Sequence, residues 1–402
     1  MMHVWFYGFI FVFFSTCQPE KERIGFESNV AVQDSTNIIT GAERVAMYQP
    51  QLKGKKVALV VNQTSIIKNK HLVDTLLKLG IDVKVVFAPE HGFRGKADAG
   101  EKVDDTKDSK TGLPIMSLYG KKKKPTADDL KEIDVVVFDI QDVGVRFYTY
   151  ISTLHYIMEA CAENKKPLIV LDRPNPNAYF IDGPMLDPTF KSFIGMHPVP
   201  VVYGMTIGEY GQMINGEGWL PNGVKCELTV IPCKNYTHDS YYSLPVKPSP
   251  NLPNDRSILL YPSICFFEGT TLSLGRGTDK QFQVIGHPKL ESDFSFTPMP
   301  NEGAKDPLLN GQKCYGEDLS NVTTGSIINA KKINLKYLID YHKKMKSKGE
   351  KYFLDNLFID KLAGTDTLRK QLEAGKTEDE IRKSWQPGLD AFKKVRSKYL
   401  LY

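Results

Sequence analysis

Four apolar segments in the first half of the chain constrain its fold most. They are followed by polar residues and read KKVALVVNQTS (55–65), DVKVVFAPEHG (82–92), EIDVVVFDIQD (132–142) and KPLIVLDRPNP (166–176). Continuous Val, Ile and Leu runs, without alternation, predict strands buried on both faces of a parallel sheet. Apolar residues at helical spacing over 70–80 and 147–165 lie between them. Strands alternating with helices predict a doubly wound α/β domain.

Polar side chains begin where each predicted strand ends. The four groups are Asn62–Gln63–Thr64–Ser65, Glu90–His91, Asp139–Gln141–Asp142 and Asp172–Arg173–Asn175. Ligands of open parallel sheets bind outside the carboxyl ends of the strands. The sequence therefore predicts a binding or catalytic site at this edge of the sheet.

The remainder of the chain is less regular. A Lys- and Gly-rich insertion covers about 95–125, and composition shifts toward Pro, Gly and aromatic residues near 176. Thr206 is the predicted N-cap of a helix, and 226–232 is a predicted strand. The stretch 247–288 is loop-rich and dense in functional groups. Further helices are expected near 335–347 and 366–400.

The first residues resemble a processing signal. Residues 4–14 are eleven uncharged apolar residues, too few to span a bilayer, and they suit the apolar region of a signal peptide. Ser15-Thr16-Cys17 resembles a bacterial lipoprotein cleavage box, with Cys17 as the lipidated residue. We expect a signal peptide over 1–17, a tether over 18–37 and a lipid-anchored periplasmic protein of the cell envelope. Plain secretion and a mis-assigned start are the alternatives.

Composition and motifs exclude several classes of function. Lys and Arg number 52 against 47 Asp and Glu, so no nucleic-acid footprint is present. GxxxxGK[ST] is absent, and the first strand-to-helix turn, NQTSIIKNK, has no glycine, so a nucleotide cofactor is not expected. HExxH and Cys/His metal spacings are also absent, and we expect no metal. A disulfide between Cys226 and Cys233 is left open.

Carboxylates in Gly- and aromatic-rich surroundings are abundant: Glu90, Asp139, Asp142 and Glu268. Glycosidic cleavage needs one carboxylic acid to protonate the leaving oxygen and a second carboxylate to complete the reaction. Apolar surroundings disfavour the charged form of a carboxyl group, as a proton donor requires. Glu90 follows VVFAP, and Glu268 follows SICFF, which is expected to be an apolar aromatic strand.

Structural roles compete with these assignments. Asp139 and Asp142 could instead cap the helix expected to start near Arg146. Asp172 and Arg173 could form an internal ion pair, and His91 could merely orient its neighbour. For Tyr148 and Tyr150, packing is the favoured role.

Six motifs are informative when they are taken together: VVNQTS, FAPEHGFRG, FDIQDVGVRFYTYISTL, LDRPNP, PSPNLP and FFEGTTLSLGRGTDKQFQVIGHP. Through them the chain resembles the NamZ-type exo-β-N-acetylmuramidases, a glycoside hydrolase family, over roughly 40–400. The resemblance implies release of N-acetylmuramic acid from non-reducing ends of peptidoglycan fragments, on which other peptidoglycan hydrolases also act. It implies a Rossmann-like parallel-sheet domain (38–195) packed against a smaller α+β domain with C-terminal helices (196–402). The active site is expected in the cleft between them.

Matching motif positions supply the expected site residues. Glu90 is the expected general acid, with Glu268 as first choice and Asp142 as second choice for the other carboxylate. The expected substrate-binding residues are Asn62, His91, Arg94, Asp139, Gln141, Arg146, Tyr148, Arg173, Asn175, Asn251 and Arg276. The lactyl carboxylate of N-acetylmuramic acid calls for a guanidinium, so Arg94, Arg146, Arg173 and Arg276 are the candidates.

Two other functions remain in competition with hydrolysis. A non-catalytic glycan-binding lipoprotein would need the same aromatic residues and arginines but no proton donor. A nucleotide-sugar-binding Rossmann enzyme is disfavoured by the glycine-poor first turn.

Overall fold

The computed structural model describes residues 1–3, 37–90, 92–93, 106–120 and 122–402. Outside the described residues lie most of the predicted signal peptide, including Cys17, almost all of the tether, and the site candidates His91 and Arg94. The chain divides into a unit Met1–Gln33 and a compact unit Asp34–Tyr402. Every described helix and strand belongs to the second unit.

A seven-stranded sheet forms the centre of this unit. In spatial order its strands are Thr106–Lys107, Pro114–Ser117, Asp82–Ala88, Lys56–Val61, Val135–Asp139, Leu168–Leu171 and Leu228–Ile231. All neighbouring strands are parallel except the first pair, which is antiparallel. The four predicted strands are confirmed, and they occupy adjacent central positions. Their residues are almost entirely buried, as their unbroken apolar runs require.

Helices pack around the sheet and fill the C-terminal part. They are Val45–Leu52, Leu72–Lys78, Ala127–Leu130, Tyr150–Glu163, Ile207–Gly216, Asp255–Ile264, Thr324–Ala330, Lys336–Ser347, Phe358–Ala363, Thr367–Glu373 and Glu378–Arg396. Short 3-10 helices cover Gly41–Glu43, Pro188–Phe190, Pro221–Gly223 and Cys265–Gly269. Among the described residues no helix is both long enough and apolar enough to cross a membrane.

The predicted N-cap at Thr206 is confirmed. Its side chain accepts a hydrogen bond from the backbone N–H of Glu209, and the Glu209 carboxylate accepts one from the backbone N–H of Thr206. This reciprocal box satisfies two backbone donors that the first turn leaves without helical partners. The signal is local in sequence, which is why the sequence sufficed to find it.

The expected strand before Glu268 is wrong. SICFF ends the helix Asp255–Ile264 and enters the 3-10 helix Cys265–Gly269, so Glu268 lies in a helical turn. Asn254 caps the helix through the backbone N–H of Ser257. A short apolar run is compatible with a buried helix as well as with a strand, and here the Asn254 cap favours the helix.

Two small sheets complete the unit. The strands Val284–His287, Cys314–Asp318 and Ser295–Phe296 form an antiparallel sheet, and Ile66–Ile67 pairs with Lys70–His71. The division into domains at residues 195 and 196 stays a prediction. Cys226 and Cys233 are both free thiols, and the Cys233 thiol donates to the backbone carbonyl of Asp172.

Candidate active site

A cavity of about 200 Å³ lies where Glu90 leaves the sheet. Its lining is rich in aromatic rings and holds two carboxylates and one guanidinium. The lining residues are Glu90, Tyr119, Phe147, Tyr148, Thr149, Tyr150, Phe193, Ile194, Ser249, Asn251, Leu252, Tyr261, Glu268, Arg276, Phe282 and Phe358.

Glu90 is held by the start of the helix Tyr150–Glu163. The Thr149 hydroxyl donates a 2.8 Å hydrogen bond to Glu90 Oε2. Thr149 occupies the N-cap position of that helix, yet its side chain makes no capping hydrogen bond. A threonine there ordinarily serves the helix backbone. Here its hydroxyl orients the carboxylate instead.

Glu268 and Arg276 form an ion pair in the cavity wall. Arg276 donates from Nε (3.0 Å) and from Nη2 (2.5 Å) to the same oxygen, Oε1 of Glu268. Both side chains are partly exposed, at 26% for Arg276 and 21% for Glu268. Burial acts to lower the pKa of Arg276, but the neighbouring carboxylate outweighs it and raises that pKa. The guanidinium therefore stays charged, and it lies over the ring of Phe282.

The polar residues after the other strands bond to one another. The Asn62 carboxamide oxygen accepts from the Thr64 hydroxyl (2.6 Å), and the backbone N–H of Gln141 donates to the Thr64 oxygen (3.0 Å). The Gln141 amide donates to the backbone carbonyls of Asp142 and Pro174. Buried polar groups need such partners. These side chains tie the strand ends together and do not line the cavity.

Arg173 and Asp139 form a buried ion pair at the same edge of the sheet. The guanidinium donates from Nε (2.6 Å) and Nη2 (2.9 Å) to the two carboxylate oxygens of Asp139. Asp172, the partner considered from sequence, instead accepts from the Thr206 hydroxyl and the Gly208 backbone N–H. Burial raises the pKa of Asp172 to about 6, against the opposing effect of these donors.

Asp142 is buried away from the cavity wall. Its Oδ2 accepts from the backbone N–H of Gly144 (2.8 Å) and from the Tyr203 hydroxyl, and the structure places no partner at Oδ1. Burial raises the pKa of this carboxyl to about 6, and the donated hydrogen bonds offset part of that effect. The second choice for a catalytic carboxylate therefore does not reach the cavity, and neither Asp139 nor Asp142 caps the helix Tyr150–Glu163.

Arg146 is also withdrawn from the cavity, because its guanidinium joins three segments of the chain. It is fully buried and donates to the carbonyl oxygens of Pro184, Val199, Leu362 and Ala363. Burial lowers its pKa to about 9. Asn175 is similarly internal, since its amide donates to the Met205 carbonyl.

The structure thus divides the predicted site residues into two sets. Glu90, Tyr148, Asn251, Glu268 and Arg276 line one cavity. Buried elsewhere are Asn62, Asp139, Gln141, Asp142, Arg146, Arg173 and Asn175. Tyr148 also donates to the Pro248 carbonyl, and the Asn251 amide donates to that of Gly303.

Sequence reasoning missed Thr149 and most of the aromatic wall. Thr149 lies within FDIQDVGVRFYTYISTL, directly before the helix, and that position was the available signal. The aromatic residues Phe193, Tyr261, Phe282 and Phe358 come from distant segments, and no local pattern brings them together. Within the described residues no cluster of three or more His, Cys, Asp or Glu side chains could hold a metal ion.

An aromatic cavity with two separate carboxylates is typical of glycoside hydrolases, which need a proton donor and a second acid. Comparison with known proteins identifies the family. The chain belongs to the exo-beta-N-acetylmuramidase NamZ family, whose N-terminal model matches residues 57–256 and whose C-terminal model matches residues 259–402. The protein is therefore a glycoside hydrolase.

A curated relative and two solved structures agree with this family. The chain is 40% identical over 375 residues to the peptidoglycan beta-N-acetylmuramidase NamZ of Bacillus subtilis (strain 168), covering 88% of this chain and 89% of that protein. A crystal structure of a DUF1343 family protein from Bacteroides fragilis NCTC 9343 superposes with a TM-score of 0.84 at 48% identity. A second from the same organism gives 0.74 at 28%. Each comparison covers 91% of this chain and 99% of the other.

Proposed function

We propose that this protein releases N-acetylmuramic acid from the non-reducing ends of peptidoglycan fragments, with Glu90 as general acid and Glu268 as the second carboxylate. One observation carries the assignment: both acids line the same aromatic cavity, whereas Asp139 and Asp142 are buried elsewhere. The curated relative from Bacillus subtilis carries the substrate class.

The cavity supports recognition of a single acidic sugar. About 200 Å³ is a small volume, suited to one terminal residue rather than to a long glycan. Within the described part of the chain, the guanidinium of Arg276 bonds Glu268 through Nε and Nη2, and no protein acceptor faces Nη1. A lactyl carboxylate is the natural acceptor for that remaining donor.

The proposed reaction is acid-assisted hydrolysis of one glycosidic bond. Glu90 gives its proton to the glycosidic oxygen as the bond from that oxygen to the anomeric carbon breaks, and the leaving sugar departs with a hydroxyl group. Glu268 offsets the positive charge that develops at the anomeric carbon. Water then bonds to that carbon and gives up one proton, which restores the acid form of Glu90, so both products carry a hydroxyl group at the former bond. Thr149 keeps the Glu90 carboxyl group in a single orientation throughout.

Hydrolysis of 4-nitrophenyl N-acetylmuramide tests the proposal. The wild-type protein is expected to release nitrophenol, and Glu90→Gln is expected to lose nearly all turnover while keeping its thermal unfolding temperature. Glu291→Gln is the matched control, because Glu291 is 89% exposed and its ion-pair partner among the described residues is Lys348. A wild-type protein that binds the muramide without turning it over would instead support the non-catalytic glycan-binding protein.

The cellular location of the protein is a separate proposal. We propose that Cys17 carries a lipid anchor and that the enzyme works on the cell envelope, since an uncharged apolar run and Ser15-Thr16 precede this cysteine. Expression of the full chain in a bacterium fed radioactive palmitate tests this: label and membrane association are expected for wild type and not for Cys17→Ala. Equal labelling of both would remove Cys17 as the anchor.

A further inference from the structure

Two buried cysteines from distant parts of the sequence meet at one end of the central sheet. Cys161 lies in the last turn of the helix Tyr150–Glu163, and Cys226 lies two residues before the edge strand Leu228–Ile231. Their exposed fractions are 1% and 4%, and both belong to the same hydrophobic cluster. The Cys226 side chain is a hydrogen-bond partner of the Cys161 thiol.

Backbone hydrogen bonds hold the two segments together at this place. Leu168 is level with Leu228 in the parallel pair, so residue 226 comes level with residue 166. The backbone N–H of Lys166 donates to the Cys161 carbonyl (2.9 Å), and the backbone N–H of Leu168 donates to the Glu227 carbonyl (2.8 Å). The helix end is therefore fixed to the start of one strand, and that strand to the segment that carries Cys226.

The alternation of side chains along the edge strand directs Cys226 toward the helix. Successive side chains of an extended segment point to opposite faces of the sheet. Residue 226 shares its parity with Leu228 and Val230, which pack against the same hydrophobic cluster as the helix residues Met158 and Cys161. The two thiols thus lie on the same face of the sheet.

Cys233 is not an alternative partner for Cys226. The strand Leu228–Ile231 lies between them, and its four extended residues span about 10 Å. A disulfide requires Cα atoms within roughly 7 Å of each other. Cys233 also packs in a separate small cluster with Ala178 and Tyr236.

We propose that Cys161 and Cys226 form a disulfide when the chain folds in an oxidising compartment, with a small-molecule or protein disulfide as the oxidant. One thiolate attacks the oxidant and releases its first sulfur as a thiol. The second thiolate then attacks the mixed disulfide and releases the other. The two cysteines lose two protons and two electrons, and the oxidant is reduced to two thiols. The cell envelope proposed above is such a compartment.

Burial determines when this reaction occurs. The adjacent Cys226 side chain and burial raise the pKa of the Cys161 thiol well above its ordinary value, so the folded protein holds little of the reactive thiolate. The bond therefore forms while the chain folds, before the two thiols are buried. Once closed, it joins the end of the helix Tyr150–Glu163 to the edge strand and restricts the unfolded chain, which stabilises the fold.

Refolding of the denatured full chain with oxidised glutathione tests the proposal. Peptide mapping by mass spectrometry without reductant is expected to find a peptide containing Cys161 linked to one containing Cys226. Protein refolded with dithiothreitol is expected to lack this link. The linked protein is expected to unfold about 5 °C above the reduced protein in a thermal scan.

Single substitutions supply the controls. Cys161→Ala and Cys226→Ala are each expected to abolish both the linked peptide and the difference in unfolding temperature between oxidised and reduced protein. Cys265→Ala is the matched control, because Cys265 is also 1% exposed and belongs to the same cluster, and it is expected to keep both. Each variant is compared with itself, so a cavity left by the substitution lowers both temperatures alike.

The wild-type map alone can overturn the proposal. An oxidised wild type without a Cys161–Cys226 link, or with Cys226 linked to Cys233, would contradict it. A temperature difference that persists in Cys161→Ala would also contradict it. Turnover of the chromogenic muramide by the reduced protein tests hydrolysis separately, so the failure of one proposal leaves the other standing.

Discussion

The Thr149 hydroxyl donates a hydrogen bond to Glu90 Oε2 at 2.8 Å, from a helix N-cap position whose side chain makes no capping bond. The acid is thus joined to the first turn of the helix Tyr150–Glu163. A hydrogen bond to a carboxyl group of a catalytic residue fixes the direction in which its proton leaves. This contact makes Thr149 a positioning residue for the proposed reaction.

We expect Thr149→Val to lower kcat by about tenfold, because the acid loses a hydrogen bond of about 1.5 kcal/mol. Thr149→Ser keeps the hydroxyl and is expected to restore most of kcat. Thr153→Val serves as the control, since Thr153 lies one turn later in the same helix and, in the part of the chain that the structure describes, its hydroxyl donates to the Thr149 carbonyl alone. Steady-state kinetics with the chromogenic muramide measure these kcat values. Equal kcat values for Thr149→Val and Thr149→Ser would contradict the positioning role of the Thr149 hydroxyl.

Arg276→Lys tests recognition of the substrate carboxylate. Lysine keeps the positive charge but cannot bond Glu268 and a second carboxylate in one planar fork. We expect KM for the muramide to rise by about tenfold, with a smaller change in kcat. Arg256→Lys is the matched control, because among the described residues its side chain bonds just the Val322 carbonyl and it does not line the cavity. An unchanged KM would separate Arg276 from the lactyl group.

Asp142→Asn is expected to change stability with pH. Burial raises the pKa of Asp142 from 3.8 to about 6, so between these values the folded protein binds a proton that the unfolded chain has released. The free energy of unfolding contributed by this group therefore falls as pH rises through that window and is constant above it. Because asparagine does not titrate, the variant should gain about 3 kcal/mol relative to wild type from about pH 4 to pH 6.

Urea unfolding at a series of pH values measures this difference. The amide oxygen introduced by Asp142→Asn can still accept from Gly144 and Tyr203, so the variant is expected to fold. It should also retain most of its activity, because Asp142 does not line the cavity. If the difference in unfolding free energy between the two proteins did not change with pH, the raised pKa of Asp142 would be contradicted. A loss of turnover in the variant would show that Asp142 takes part in the reaction.

Arg146→Met should destabilise the protein strongly. The change leaves four buried carbonyl oxygens without their donor, which costs about 3–5 kcal/mol in the free energy of unfolding. Arg256→Met removes a single donor to one carbonyl and is expected to cost about 1 kcal/mol. Chemical denaturation of the two variants gives the comparison, and equal losses would show that Arg146 does not join these segments.

Elements with local signals could be predicted from the amino-acid sequence alone. Near-continuous apolar runs placed the four central strands, because burial on both faces leaves no polar alternation. Thr206, three residues before Glu209, marked the start of a helix through backbone donors that only a cap can satisfy. The position of Glu90 after its strand followed from the same local pattern, and the motifs supplied the family.

Which polar side chains face the cavity depends on the tertiary structure. Asp139, Asp142, Arg146 and Arg173 carry the same functional groups as Glu90, Glu268 and Arg276, and their local sequences are equally suggestive. The difference lies in burial, which the tertiary structure decides: Asp139 is buried with Arg173, Asp142 with Tyr203, and Arg146 with carbonyls as far away as Ala363. Buried charges and polar groups must find partners. Those four residues are buried together with their partners, whereas Glu90, Glu268 and Arg276 also have hydrogen-bond partners but line the cavity, where a ligand can reach them.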